Sequence, residues 1–521
     1  MSEPLDEPDV SIADVRHPLL QAGSERRLSN ASEDSIDDLP DSADEKPAEA
    51  APASTLQARP SPKTKRRRVW ALIGVGLLFV LGGSIVALSS SHDPNTYGHS
   101  VLDSVVGGLR NLTSSTTCVS SIDTLAAERM ANATALIAMP PWGHPKLAFH
   151  RDTLATLILC KTLGTCTDKQ KQVVLVVAHR FHWVWDDTFN RPSEFANGEA
   201  ILAKSMVEGL AKLGYPLVFL DEVDLYRAGR VHALLTDHVK MVVFDYISMP
   251  LCREHERCGK TASFPEGIPA WKQFQWDGLV GIEPGRLWRQ PWHLSGIPHP
   301  EINATYLGFS AELDCRPIPY IPAQERPRTA WILGKERQFY QPDKSAWTEE
   351  DFAAVVDHSS LELLAGIQYE PAELPIPSTF SNMGTLSRLD FMQQLSKTRV
   401  IIGTNNPPES PSPIEGLCLG TPFIMPVSAD LHVPQHRLLA QFKPPAVYTV
   451  NAGDRQALLD AVQQAIAHPL DGPFIPESLS WSAYLDRLQS IMSRDWQQVH
   501  QDLAPPEDLA LDGYLPGWDN N

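Results

Sequence analysis

Between Arg399 and Val427 the chain reads RVIIGTNNPPESPSPIEGLCLGTPFIMPV, and this stretch restricts the fold more than any other. Val400, Ile401 and Ile402 form a short apolar run that stops at Gly403, the pattern of a buried parallel strand entering a loop. Asn405 to Ser412, rich in Pro, Asn and Ser, cannot continue a strand. Ser412-Pro413-Ile414-Glu415 then offers an N-cap, a first-turn proline and a capping-box glutamate, so a helix is expected from Pro413. Gly420 stands where a C′ residue belongs, and Pro422 blocks continuation before Phe423-Ile424-Met425; the helix is therefore short. Strand, polar loop and helix start, at the carboxyl end of a parallel sheet, make a ready anion site.

The same grammar recurs. Val173 to Ala178, Leu217 to Leu220 and Val239 to Phe244 are apolar runs separated by helix-length stretches, as in a doubly wound α/β domain. Ala330 to Leu333, Leu361 to Gly366, Val400 to Ile402, Phe423 to Met425 and Val447 to Val450 predict a second parallel sheet. Leu458 to Ala467 and Trp481 to Met492 read as amphipathic helices closing that second sheet.

Ahead of these runs the composition changes. Residues 1 to 62 are dense in Asp, Glu, Ser, Pro and Ala with few aromatics, and such a segment cannot bury enough apolar surface to fold. Lys63, Lys65, Arg66, Arg67 and Arg68 follow, and then Val69 to Leu88, twenty residues without a charge. That span is long enough to cross a bilayer, and the basic flank places the preceding tail in the cytosol. The expected organisation is a cytosolic tail (1–68), a transmembrane signal anchor (69–88), a stem (89–135), an N-terminal α/β domain (136–325), a C-terminal α/β domain with closing helices (326–505) and a tail (506–521). All seven cysteines, Cys118, Cys160, Cys166, Cys252, Cys258, Cys315 and Cys418, follow the anchor, on the side expected to be oxidising. Cys160/Cys166 and Cys252/Cys258 are close enough to bridge locally; because seven is odd, Cys418 is the expected buried free thiol. Asn111, Asn132 and Asn303 head sequons on the expected lumenal side, whereas Asn30 heads one on the cytosolic side. A formal charge of −19 argues against nucleic acid as a partner.

PESPSPIEGLCLGTPF, preceded by LSRLDFMQQLSKTRVIIG, resembles the nucleotide-sugar segment of the α-mannoside β-1,6-N-acetylglucosaminyltransferases, the N-acetylglucosaminyltransferase V-like enzymes. Ile332-Leu333-Gly334-Lys335, Tyr306-Leu307-Gly308-Phe309 and Val447-Tyr448-Thr449-Val450 extend the likeness. The chain departs from the family pattern at Thr404 to Pro408 and at Ser410, which leaves the donor class better specified than the donor itself. The resemblance implies a GT-B arrangement of two facing Rossmann-like domains in a Golgi type II membrane protein. It also implies inverting transfer of N-acetylglucosamine from UDP-GlcNAc to the 6-hydroxyl of a mannose in a glycoprotein glycan, with no metal or other cofactor. A different donor or acceptor on the same scaffold, and a membrane-anchored glycan-binding protein without catalysis, are the alternatives.

Such a transfer needs a base for the acceptor hydroxyl and positive charge for the departing diphosphate. In Gly198-Glu199-Ala200, followed by ILAKSMVEGLAKLGYPL, the spacing matches the family's catalytic glutamate, so the resemblance assigns Glu199 as base; Asp186, Asp187 and Glu194 compete. Lys335 is the expected diphosphate contact. Glu409, Ser410, Ser412 and Glu415 are the other expected donor contacts, although Glu409 also reads as a solvated side chain and Glu415 as a capping-box residue. No clear Asp-x-Asp follows a strand, and Glu222-Val-Asp224 reads as a turn. Trp183, Trp185, Trp288 and Trp292 are candidates for stacking on acceptor sugar.

Overall fold

The apolar runs become strands of two parallel sheets in the computed structural model, which describes residues 145–185, 198–220, 225–277, 291–299, 303–368, 374–428 and 433–503. The first sheet contains β1 (Val173–Val176), β2 (Leu217–Phe219), β3 (Val239–Phe244), β4 (Gln273–Asp277), β5 (His293–Ser295) and β6 (Thr305–Tyr306). They lie in the order β2-β1-β3-β4-β5-β6, with Val176 opposite both Phe219 and Val243. The second contains β7 (Thr329–Ile332), β8 (Glu362–Ala365), β9 (Phe380–Asn382), β10 (Val400–Ile402), β11 (Phe423–Val427) and β12 (Val447–Asn451). Its order, β12-β11-β10-β7-β8-β9, places the first strand of the set centrally, with its second and third strands to one side and its fourth to sixth to the other. This is the Rossmann order, and it reverses between β7 and β10, where Ile401 pairs Trp331. Loops leaving the carboxyl ends of those two strands therefore open a crevice.

Glycine is required where the Ser412–Cys418 helix crosses β10. A Cβ on Gly416 would collide with the Ile401 side chain, and Gly420, at φ 76°, takes the left-handed turn after the helix. The helix starts one residue before the expected position, at Ser412, and no side chain caps it. The predicted capping box is thus absent, because the Glu415 carboxylate is drawn to Arg388 instead.

Two further expectations change. The Arg455–Ala467 helix does cover the second sheet, burying Leu458, Ala461, Val462 and Ala465. The Trp481–Ser493 helix instead returns to the first half: Gln489 donates to the Tyr215 hydroxyl (2.9 Å), and Leu488 and Tyr484 lie against Gly209. Beyond it, Trp496 packs edge-on to Phe274 at 4.8 Å and against Trp292 at 5.7 Å. Tyr484 and Trp496 find their apolar partners on the first sheet and its helices, which helical periodicity does not reveal. Cys418 is not a free thiol. It is bonded to Cys315, 103 positions earlier, while Cys160–Cys166 and Cys252–Cys258 form the two local bridges.

The apolar segment 69–88, the tails, the stem, Cys118, Asn111 and Asn132 lie outside the described residues, among which no helix is long and apolar enough to cross a membrane. Asn303 lies in an exposed turn.

Candidate functional site

A cleft of about 520 Å³ opens at the carboxyl ends of the strands and is lined from both halves of the chain. Arg180, Gly198, Glu199 and Ile201 form one wall; Lys335, Glu336, Arg388, Ser410, Ser412 and Glu415 belong to the other.

Glu199 is the first residue of the Glu199–Leu213 helix, held by Ala200, Ile201, Leu202, Met206 and Leu210 in the core, with left-handed Gly214 ending it as expected. Its carboxylate is ion-paired with Arg180, and both side chains are mostly buried. Arg180 sits on the turn that leaves β1. Asp245, just past the end of β3, accepts the His179 amide at 2.9 Å and braces that turn. The guanidinium lies 5.1 Å from the Tyr246 ring. Asp186, Asp187, Glu194, Glu222 to Asp224 and Trp288 lie outside the described residues.

Lys335 follows β7 across the cleft. Its carbonyl accepts the Gln368 amide at 2.8 Å, which fixes the backbone, and its side chain faces the pocket. Burial holds its pKa below that of an ordinary lysine, while the negative charges of Glu336 and Glu199 oppose the shift. A partly desolvated ammonium of this kind attracts an incoming anion strongly. Ser410 donates to the Ser412 hydroxyl at 3.3 Å, so both hydroxyls stand together at the cleft edge.

Glu415 is wholly buried and paired with Arg388. Burial pushes its pKa up, the Arg388 charge pulls it down, and Asp314 adds a smaller upward push. Glu409 is placed differently. It does not line the cleft: its carboxylate accepts from the Arg437 amide (3.1 and 3.2 Å) and from Arg437 Nε (2.9 Å), with His436 Nδ1 at 3.2 Å. Its own amide donates to the Gln435 carbonyl at 2.9 Å. Glu409 therefore fastens the Pro407–Ser412 loop to the Gln435–Arg437 segment and is not solvated. Burial raises its pKa against the Arg437 hydrogen bonds.

Arg180, Arg388 and Arg437 were not singled out from the sequence. The available signal was chemical, since a carboxylate that becomes buried needs a cation, and only Arg180 stands next to a predicted strand. Of the tryptophans, Trp292 is fully buried and donates to the Trp271 carbonyl at 2.8 Å, so it cannot stack on a sugar. Trp185 packs edge-on to His150 at 4.5 Å and is partly buried, as is Trp183. No group of metal-ligating side chains is present among the described residues.

The profile of glycosyltransferase family 18 matches residues 289–510, which include Lys335, Arg388, Glu409, Ser410, Ser412 and Glu415. Alpha-1,6-mannosylglycoprotein 6-beta-N-acetylglucosaminyltransferase A of Cricetulus griseus is 25% identical over 230 residues, 40% of this chain and 30% of that protein. The B enzyme of Mus musculus is 23% identical over 447 residues, 76% of this chain and 54% of that protein. The chain thus covers only part of the length of these relatives. The UDP-GlcNAc 2-epimerase of Methanocaldococcus jannaschii, solved with UDP-GlcNAc and UDP, is 11% identical, with a TM-score of 0.32 over 61% of this chain and 99% of that one. The chain resembles, and over residues 289–510 matches, the enzymes of glycosyltransferase family 18.

Proposed function

We propose that this chain transfers N-acetylglucosamine from UDP-GlcNAc to the 6-hydroxyl of a mannose in protein N-glycans, with inversion. The observation that carries the reading is the composition of the cleft: a carboxylate from one half, Glu199, faces a lysine from the other, Lys335, across a pocket large enough for a small organic ligand. In the reaction the Glu199 carboxylate takes the acceptor hydroxyl proton while that oxygen bonds to the anomeric carbon. The bond from that carbon to the diphosphate oxygen breaks, and UDP leaves with the electron pair. Lys335 and the start of the Ser412–Cys418 helix stabilise the charge that develops on the leaving group, so no metal is required. Ser410, Ser412 and Glu415 offer hydrogen bonds to the nucleotide or sugar hydroxyls. Glu409 contributes by holding their loop.

A Golgi type II placement, anchored by residues 69–88, is part of the same reading. It is supported by the basic flank at Lys63 to Arg68 and by the disulfides, which belong to an oxidising compartment. Glycans on Asn111, Asn132 or Asn303 and none on Asn30 are expected; a glycan on Asn30 would reverse the orientation. The departures at Thr404 to Pro408 and Ser410 favour one alternative, a different sugar donor or acceptor on the same scaffold. Presenting the full-length protein with a panel of nucleotide sugars and mannose-terminated glycans decides between them. Turnover of UDP-GlcNAc supports the first reading, turnover of another nucleotide sugar the second, and glycan binding without turnover of any donor would leave a non-catalytic binding protein.

A further inference from the structure

We propose that Arg388 is a positioning residue for the donor: its guanidinium fixes Glu415 in the cleft wall and, through Asp314 and Lys204, ties that wall to the helix that begins at Glu199. The inference rests on the nucleotide-sugar reading above.

Arg388 opens the Arg388–Lys397 helix, whose N-cap Ser387 accepts the Asp390 amide. Its side chain is largely buried and its Nη2 contacts two carboxylates, Glu415 from its own half and Asp314 at 3.1 Å from the other. Asp314 lies on the Glu312–Cys315 helix and is also paired with Lys204. Lys204 belongs to the Glu199–Leu213 helix and lies 3.4 Å from Glu208 on that helix. Behind the cleft, acid and base thus alternate from Glu208 through Lys204, Asp314 and Arg388 to Glu415. Among the described residues, the remaining charged groups at the cleft are Arg180, Glu199, Lys335 and Glu336.

The chemistry follows from burial. A buried carboxylate with no cation keeps its proton and loses acceptor capacity. Burial works to raise the Asp314 pKa as well, yet Arg388 and Lys204 together hold it below the ordinary value. A planar guanidinium holds its donors in a fixed fork, whereas an ammonium imposes no such geometry on its partners. Arg388 therefore opposes the upward push of burial on the Glu415 carboxylate and sets the distance of that wall from the half of the chain that carries Glu199.

The test is steady-state kinetics with UDP-GlcNAc, together with UDP binding by calorimetry, on the full-length protein from pH 6 to 9. Arg388→Met should raise donor KM by about tenfold or more at pH 6.5, and raising the pH should recover several-fold of it as unpartnered Glu415 ionises. In a Glu415→Gln background the same change should add less than about twofold, because the group it serves is gone. Arg388→Lys should fall between. Asp314→Asn, which leaves the Arg388–Glu415 pair within one half, should lower kcat several-fold with donor KM within about twofold of wild type. A loss in Arg388→Met that is equal at every pH and persists beside Glu415→Gln would overturn the proposal, as would wild-type donor KM in that variant. If Arg388→Met does not fold, Arg388→Lys and Asp314→Asn decide: wild-type donor KM in the first with wild-type kcat in the second overturns it. Wild-type protein that neither binds UDP nor turns over UDP-GlcNAc would remove the nucleotide-sugar reading, and this proposal with it.

Discussion

Cys315 and Cys418 are joined by a disulfide, their Cα atoms 6.1 Å apart, and this bond fastens the last helix of the first half to the helix that walls the cleft. The same short helix, Glu312–Cys315, accepts the Trp481 amide through Glu312 (2.5 Å) and meets Lys204 and Arg388 through Asp314. One helical turn thus carries a covalent, an ionic and a capping contact, each reaching a different part of the chain.

The covalent contact should be measurable. Closing a loop of this length restricts the unfolded chain, and native disulfides typically contribute about 2 to 4 kcal/mol. Replacing Cys315 and Cys418 together with alanine should lower unfolding stability by about that amount. Guanidinium midpoints of the two proteins test it, and non-reducing peptide mapping should recover the linked pair. An unchanged midpoint with no linked peptide would show that the bond does not form.

Acid should destabilise the protein through its buried histidines. Burial lowers the pKa of His150 and His293 to about 4, and that of His232 and His436 to about 3. Their folded values lie below the unfolded 6.5, so the unfolded chain binds more protons as pH falls and stability decreases. Each contributes about 1.4 kcal/mol per pH unit within the window between 6.5 and its folded value. The raised pKa values of Glu409 and Glu415 oppose this, since each favours the folded state below its own folded value. Melting temperatures from pH 7.5 down to pH 5 should fall steadily; a flat profile would mean that these imidazoles are already charged in the native state.

Much of this architecture was legible in advance because parallel strands buried on both faces have one signature, a short unbroken apolar run. Val239–Phe244 and Val400–Ile402 were read to the residue. The strands at Gln273–Asp277, His293–Ser295, Thr305–Tyr306 and Phe380–Asn382 were not, since Gln, His, Thr, Ser and Asn interrupt the run. Pairing across distance was equally hidden. Nothing local to Cys418 reveals Cys315, and nothing local to Glu415 reveals Arg388; capping-box spacing pointed to a bond within the helix, whereas the carboxylate found a buried cation outside it. Glu409 shows the same limit, because its partner Arg437 lies beyond the next strand. Glu199, Lys335, Ser410, Ser412 and Glu415 do meet at one cleft.

Lys335 offers a test of metal independence and of its own role. If protein cations stabilise the diphosphate, turnover should survive a strong chelator; complete loss restored by manganese would mean a metal does this work. Lys335→Ala should weaken UDP binding by about tenfold or more. Binding requires the protonated amine, so wild-type affinity should decline as pH rises through a pKa held below that of an ordinary lysine by burial. The alanine variant should lack that decline. Equal UDP affinities in the two proteins would leave Lys335 without a part in donor binding.

Glu199 bears the largest share of the proposed chemistry, and its pairing with Arg180 shapes the prediction. A base must be ionised before the acceptor arrives, and a guanidinium beside the carboxylate favours that form. It also positions the carboxylate at the first turn of its helix, on the opposite wall from the donor contacts. Glu199→Gln retains size and hydrogen-bonding capacity but cannot accept the proton, so turnover should fall about a hundredfold or more, with donor KM near wild type. Arg180→Met should lower turnover less, because the carboxylate remains and loses only the partner that holds it in place. Transfer by Glu199→Gln at an undiminished rate would place the base elsewhere, and Asp186, Asp187 and Glu194 would be the residues to replace next.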